Sequence, residues 1–258
     1  MKIFVMVDME GISGICRSSQ VMSDHADYQL ARRFMTWDAN ACVAGCFAGG
    51  AKKVVVRDAH ASGFNFLWDE LDSRGEYVQG RSGRERLPQI ASFDGMILLG
   101  YHAMAGTAEA ILEHTMSSRA WQNFWMNGRR CGEFAIDAAM AGDHGVPTIM
   151  ASGDDKLCRE ARRVVKGLVA VQVKKGLDCQ GGQLLSMERA HQLIADGAAK
   201  AVGLCKKIKP YRVRHPVKMR LELVSRGTVP VGRRGVKVID GRTYEVTAPT
   251  VEEALRAL

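Results

Sequence analysis

Phe4-Val5-Met6-Val7-Asp8-Met9-Glu10-Gly11-Ile12-Ser13-Gly14 places two carboxylates one residue apart at the end of an apolar run. Such a run reads as a strand buried on both faces, as in a parallel sheet covered by helices. Alternate residues on a strand point the same way, so Asp8 and Glu10 are expected to converge. Two anions held that close repel unless a cation lies between them. The chemistry on offer is metal binding; the plainer reading is an acidic turn. The same event recurs: Lys53-Val54-Val55-Val56-Arg57 runs into Asp58-Ala59-His60, and Gly95 to Gly100 runs into Tyr101-His102, with His114 and Glu133 further on. Together, Asp8, Glu10, His60, His102 and Glu133 make an oxygen and nitrogen donor set suited to zinc, and also to manganese or cobalt. Five ligands exceed one tetrahedral zinc with an open position. They fit two metals, ~3.5–4 Å apart, if one carboxylate bridges, and the resulting positive charge favours a bound hydroxide. Each residue also has a simpler account. His60 and His102 would serve as core histidines bonded to backbone, Asp58 as a turn cap or a support for His60, and Glu133 as a helix-start acid favoured by the dipole.

The elements that would carry these groups alternate along the chain. A helix is expected from about Asp24 to Gly50, where apolar residues recur at helical spacing before Gly49-Gly50. Strand, helix, strand implies parallel neighbours with a right-handed crossover, which brings Asp8, Glu10, Asp58 and His60 to the carboxyl ends of adjacent strands, where open α/β sheets bind ligands. A short strand near Tyr77-Val78 and a basic turn at Arg81 to Arg86 come next. A loop or short helix spans Ala105 to Glu113, and Trp121 to Met126 reads as a strand before the turn pair Asn127-Gly128. A helix from Glu133, a strand from Val146 to Ala151, a strand from Leu168 to Val173 and a helix from Ser186 to about Cys205 complete the pattern. Asp154 and Asp155 read as caps of the intervening helix rather than pocket groups. From Pro210 the texture becomes alternating and antiparallel, ending in a helix at Val251 to Leu258. The expected fold is α/β, a mostly parallel sheet covered by helices. Residues 1–205 would form the metallohydrolase core, and residues 206–258 a smaller mixed or antiparallel carboxyl-terminal subdomain.

At 258 residues, 47% hydrophobic and 25% charged, the chain has the composition of a globular protein with a sizeable core. No apolar run approaches the ~20 residues of a membrane span, and no secretory signal is apparent. The seven cysteines are odd in number and scattered, which fits a reducing cytoplasm; Cys42 and Cys46 read as buried packing. The net charge of +8, concentrated between Lys206 and Lys237, raises nucleic acid as a partner. Tyr211 is the sole aromatic residue of that stretch, a poor platform for stacking bases.

The strings VDMEGISG from Val7, DAH from Asp58, LLGYHAMAG from Leu98, EHTM from Glu113, MNGRRCGE from Met126 and SGDD from Ser152 closely resemble the DppA-type D-aminopeptidases, a family of binuclear zinc peptidases. The resemblance runs in order from Met1 to about Lys174 and thins beyond. It implies metal ligands at Asp8 (bridging), Glu10, His60, His102 and Glu133, two zinc ions per chain, and a catalytic His114 acting as nucleophile or general base. It also implies an α/β fold and a homo-oligomer of stacked pentamers, a self-compartmentalising decamer. The stretch between His102 and His114 is one residue longer than the family pattern, which bears on pocket shape and substrate. The expected function is hydrolysis of short peptides or amino-acid amides with an amino-terminal D-residue. Two alternatives stand beside it: a metal-dependent amidohydrolase of another substrate class, and a nucleic-acid-binding or scaffold protein using the basic carboxyl-terminal third.

Overall fold

In the computed structural model, which describes residues 1–83 and 85–258, the amino-terminal apolar run forms β1 (Lys2–Val7), buried at every position after Lys2. Arg84, part of the basic turn expected at Arg81 to Arg86, lies outside the described residues. The chain continues through α1 (Asp27–Ala48), β2 (Lys53–Asp58), β3 (Glu76–Val78) and β4 (Gly95–Leu99). It then enters the hairpin β5 (Trp121–Met126) and β6 (Arg129–Arg130), followed by α2 (Glu133–Asp143), β7 (Thr148–Asp154), α3 (Asp155–Val164), β8 (Val169–Asp178), β9 (Gly181–Leu184) and α4 (Met187–Val202). The last elements are β10 (Val217–Leu223), β11 (Val236–Val238), β12 (Thr243–Ala248) and α5 (Val251–Ala257).

Among the described residues these strands form two sheets. The first has seven strands in the order β3-β2-β1-β4-β7-β8-β9, parallel throughout except for β9, which returns antiparallel on β8. The second has five antiparallel strands in the order β11-β12-β10-β5-β6. The fold is therefore α/β, as the sequence implies. Trp121 to Met126 pairs with the late strand β10, and the β8–β9 hairpin was not foreseen. The stretch from Ala105 to Glu113 is a series of turns, not a helix.

The first sheet explains where a ligand would go. From β1 the chain winds one way to β2 and β3, then crosses back to place β4 on the other side of β1. That reversal opens a crevice at the carboxyl ends of β1 and β4, the usual ligand position of open α/β sheets. Right-handed crossovers put α1 on one face and α2 and α3 on the other, and α4 packs along α1. Helical spacing buries Ala31, Met35, Ala39, Cys42, Val43 and Cys46 on the inner face of α1.

The turn after β1 is pressed against the end of β4. Gly11 N donates to Gly100 O at 2.7 Å, and a Cβ on Gly11 would lie 2.0 Å from the Tyr101 carbonyl oxygen. Gly100 has φ +70°, and a Cβ there would lie 2.3 Å from the Asp8 carbonyl oxygen. Only glycine fits either position, so the two chain segments meet backbone to backbone. Gly11→Ala is expected to destabilise the fold by about 2 kcal/mol or more, since backbone must move, as read by a lower urea midpoint; an unchanged midpoint would contradict this packing.

Candidate metal centre

Asp8 and Glu10 do converge, though not by strand alternation. β1 ends at Val7, and both acids sit in the turn beyond it. The turn folds back so that Asp8 Oδ1 and Glu10 Oε2 each lie 3.1 Å from His60 Nδ1. His60 comes from the loop after β2, which is fastened by Asp58: that carboxylate accepts from the backbone of His60 and from the backbone and side chain of Asn65. Asp58 thus shapes the loop without touching the imidazole.

A second group lies beside the first. His102, after β4, places Nε2 at 3.4 Å from Asp8 Oδ2 and 3.3 Å from Glu133 Oε1. Glu133 opens α2, and His114 Nε2 approaches its Oε1 at 3.6 Å. The His102 and His114 rings stack with centroids 4.0 Å apart. Ligand atoms of Asp8, Glu10 and His60 lie within 4.8 Å of one another, as do those of His102, His114 and Glu133. Asp8 presents one oxygen to each group.

All three imidazoles are oriented in the same way. The nitrogen facing away from the cluster meets a backbone carbonyl: His60 Nε2 with Val21 O at 2.9 Å, His102 Nδ1 with Ala103 O at 3.1 Å, and His114 Nδ1 with Leu112 O at 2.9 Å. A carbonyl can only accept, so each outer nitrogen carries the hydrogen. The inner nitrogen of a neutral ring then points a lone pair at the cluster, the arrangement that metal-binding histidines use. Glu113, the one acid beside His114 in sequence, accepts instead from Gly106 N. The His114 loop is tightly formed, with Glu109, Leu112 and Met116 all at positive φ, an unusual backbone region for such residues. Asp154 both caps α3 through Leu157 N and holds this loop through Ile111 N.

The electrostatics call for positive charge. Burial alone would raise the Asp8 carboxyl, but the His102 and His60 imidazoles hold it well below the usual range. Glu133 is likewise lowered against its own burial, chiefly by His102. Burial would lower His60 and His102, yet the surrounding carboxylates push both well above the ordinary imidazole value. Among the described residues, buried Glu10 Oε2 and His102 Nε2 find no hydrogen-bond partner of good geometry, although each lies in the cluster. Unpartnered buried atoms in a hard oxygen and nitrogen set fit divalent metal ions.

Asp8, Glu10, His60, His114 and Glu133 line a cleft of about 460 Å³ that also includes Met22, Asp24, Arg86, Ser117 and Arg119. Arg86 grips Asp137 through two hydrogen bonds of 2.6 and 3.0 Å, Tyr101 donates to the same carboxylate, and Arg86 Nη2 lies 3.7 Å from Glu133 Oε2. Asp137 follows Glu133 by one helical turn, so α2 turns both acids toward one guanidinium.

Comparison with known proteins gives this arrangement a relationship. The family model of peptidase M55, described as D-aminopeptidase, matches residues 1–258. The chain belongs to the peptidase M55 D-aminopeptidase family. It is 33% identical over 214 residues to the D-aminopeptidase of Bacillus subtilis strain 168, across 81% of this chain and 77% of that protein. It superposes with a TM-score of 0.94 on a solved structure described as the zinc-dependent D-aminopeptidase DppA from Bacillus subtilis, a self-compartmentalizing protease. That match has 29% identity and covers 100% of this chain and 95% of the other.

Sequence reasoning passed over several residues that this family member uses to build the cluster. Lys174, buried on β8, donates to three carbonyls of the loop after β1, and burial pushes its ammonium from 10.5 down to about 8. Glu160 on α3 accepts from Met104 N, two residues beyond His102. Arg86 was visible only as part of a basic turn. His191 reads in the sequence as a surface residue without a partner, yet its Nε2 lies 3.3 Å from the buried Asp38. Zinc needs the inner nitrogens unprotonated, whereas the metal-free protein holds His60 and His102 well above their ordinary values. Zinc binding at pH 7 is therefore expected to release protons, and affinity to fall as pH drops. Calorimetry in two buffers of different ionisation enthalpy reads the release, and equal heats in both would contradict it.

Proposed function

We propose that the chain is a zinc-dependent aminopeptidase that removes an amino-terminal D-residue from short peptides or amino-acid amides. The observation that carries the reading is the position of Asp8, one carboxylate oxygen on each of two adjoining donor groups. In this reading Asp8 would serve both of two zinc ions, with Glu10 and His60 holding one and His102 and Glu133 the other. Bound there, zinc would supply Lewis acidity for the scissile carbonyl and acidify water near neutral pH.

The chain's own residues do the rest. His114 is the proton carrier. Its Nδ1–H is committed to the Leu112 carbonyl, so Nε2 is free to take a proton from the nucleophile and return it to the leaving amine. Arg86, fixed by Asp137, offsets the charge of Glu133 at the cleft wall. A cleft of about 460 Å³ suits a short peptide rather than a folded chain. The chain would assemble with copies of itself in stacked pentamers, consistent with the self-compartmentalizing character of its Bacillus subtilis relative. Its seven cysteines are all unpaired, which supports a reducing cytoplasm as its place of work. No helix among the described residues is long and apolar enough to cross a membrane. The basic groove on the second sheet is a weak rival as a nucleic-acid site, because Lys218 and Arg220 there are already paired with Glu245.

With zinc supplied, the protein is expected to hydrolyse D-alanine amide and spare the L-isomer; cleavage of the L-isomer alone would contradict the assignment. His114→Ala should retain zinc and lose about 100-fold or more in turnover, whereas Asp8→Ala should lose zinc. A His114→Ala protein with full activity would remove His114 from the chemistry.

A further inference from the structure

Lys174 sits on β8, three strands from β1 in the sheet order, yet its ammonium reaches the loop that follows β1. Nζ donates to Glu10 O at 2.6 Å, Ile12 O at 2.8 Å and Ile15 O at 2.6 Å. An ammonium has three donors, and all three are used. Only 2% of the residue is exposed, and among the described residues no carboxylate pairs with it. From the other side Asp38, fully buried on α1, accepts from both the backbone and the hydroxyl of Ser13. The loop is therefore held between β8 and α1.

Among the described residues, Glu10 is the one candidate ligand whose carboxylate has no backbone donor to fix it. Asp8 Oδ1 accepts from Met9 N and Glu133 Oε1 from Met116 N, whereas Glu10 Oε2, 3.1 Å from His60 Nδ1, has no hydrogen-bond partner of good geometry among the described residues. The place of the Glu10 carboxylate thus depends on the path of its own backbone. That path is set where its carbonyl, and those of Ile12 and Ile15, turn toward Lys174.

A local irregularity aims the lysine. Pairing between β7 and β8 shifts between Gly153 and Asp154, so that Gly153 faces Gln172 but Asp154 faces Lys174. Val173 and Lys174 are consequently both buried, out of the strict alternation of a strand. Bulges recur beside active sites because they redirect one side chain in this way.

We propose that Lys174 is the positioning residue for the Glu10 side of the metal centre, its ammonium gathering three loop carbonyls so that Glu10 meets the metal shared with Asp8 and His60. The inference rests on the ligand assignment made under Proposed function. Zinc binding to the full chain, measured by competition with a chromogenic chelator, tests it with two variants. Lys174→Met removes the ammonium; Lys174→Arg keeps the charge but displaces the contacts and is the milder change if the methionine variant does not fold. Either is expected to weaken one of the two zinc sites about 10- to 100-fold, the usual loss when the support of a ligand is removed, and to leave the other within a few-fold of wild type. Added to His60→Ala, which disables the same side, Lys174→Met should cost no further zinc. Lys156→Met, which removes another buried lysine whose ammonium holds the Gly176 carbonyl and none of this loop's, should keep both zinc ions. Two sites of wild-type affinity in a folded Lys174 variant, or equal weakening of both sites, would overturn the proposal. A wild-type chain that binds fewer than two zinc ions would instead overturn the ligand assignment beneath it.

Discussion

Asp8, Glu10 and Glu133 are buried together at the carboxyl end of a parallel sheet, and carboxylates in so little water repel one another strongly unless positive charge stands among them. Much of the surrounding structure answers that constraint. His60 and His102 lie between the acids, Arg86 stands against Glu133, and Lys174 brings its ammonium to the carbonyls of the same loop. Two divalent ions in place of the imidazole protons would outweigh the three carboxylates and leave the site positive, and the two orphaned buried atoms of the cluster, Glu10 Oε2 and His102 Nε2, are among the groups such ions would satisfy.

The fold meets the demand with backbone more than with side-chain packing. The crevice exists because the strand order reverses at β1, and the loops after β1 and β4 touch through Gly11 and Gly100, where no side chain fits. Each imidazole is aimed by a carbonyl, each at a different point of the chain, and the His114 loop is pinned by Asp154 from β7. Orientation is thereby fixed before any ligand arrives, which is what a catalytic constellation requires.

Much of this was legible in residue order. Apolar runs ending in Asp8, His60 and His102 mark strands whose carboxyl ends adjoin, because period and crossover handedness leave few other arrangements. The same logic failed where geometry departs from regularity. Asp8 and Glu10 converge through a turn, not through the two-residue period of a strand. Lys174 lies one residue beyond the strand expected from Leu168 to Val173, and the pairing shift opposite Asp154 that turns it inward leaves no mark in local pattern. Glu133 reads alone as a helix-start acid, since the dipole favours it there with or without a metal, and family resemblance was needed to make it a candidate ligand. The partnership of Trp121 to Met126 with β10 joins residues 93 to 102 positions apart, and local pattern carries no record of such pairing. His191 and Asp38 meet across α4 and α1, which helical periodicity does not foretell.

The central claim is a pair of metals sharing Asp8, and anomalous diffraction at the zinc edge from crystals grown with zinc tests it most directly. The account predicts two peaks ~3.5–4 Å apart, one enclosed by Asp8, Glu10 and His60 and the other by Asp8, His102 and Glu133. A single peak, or peaks that leave Asp8 on one side only, would contradict it.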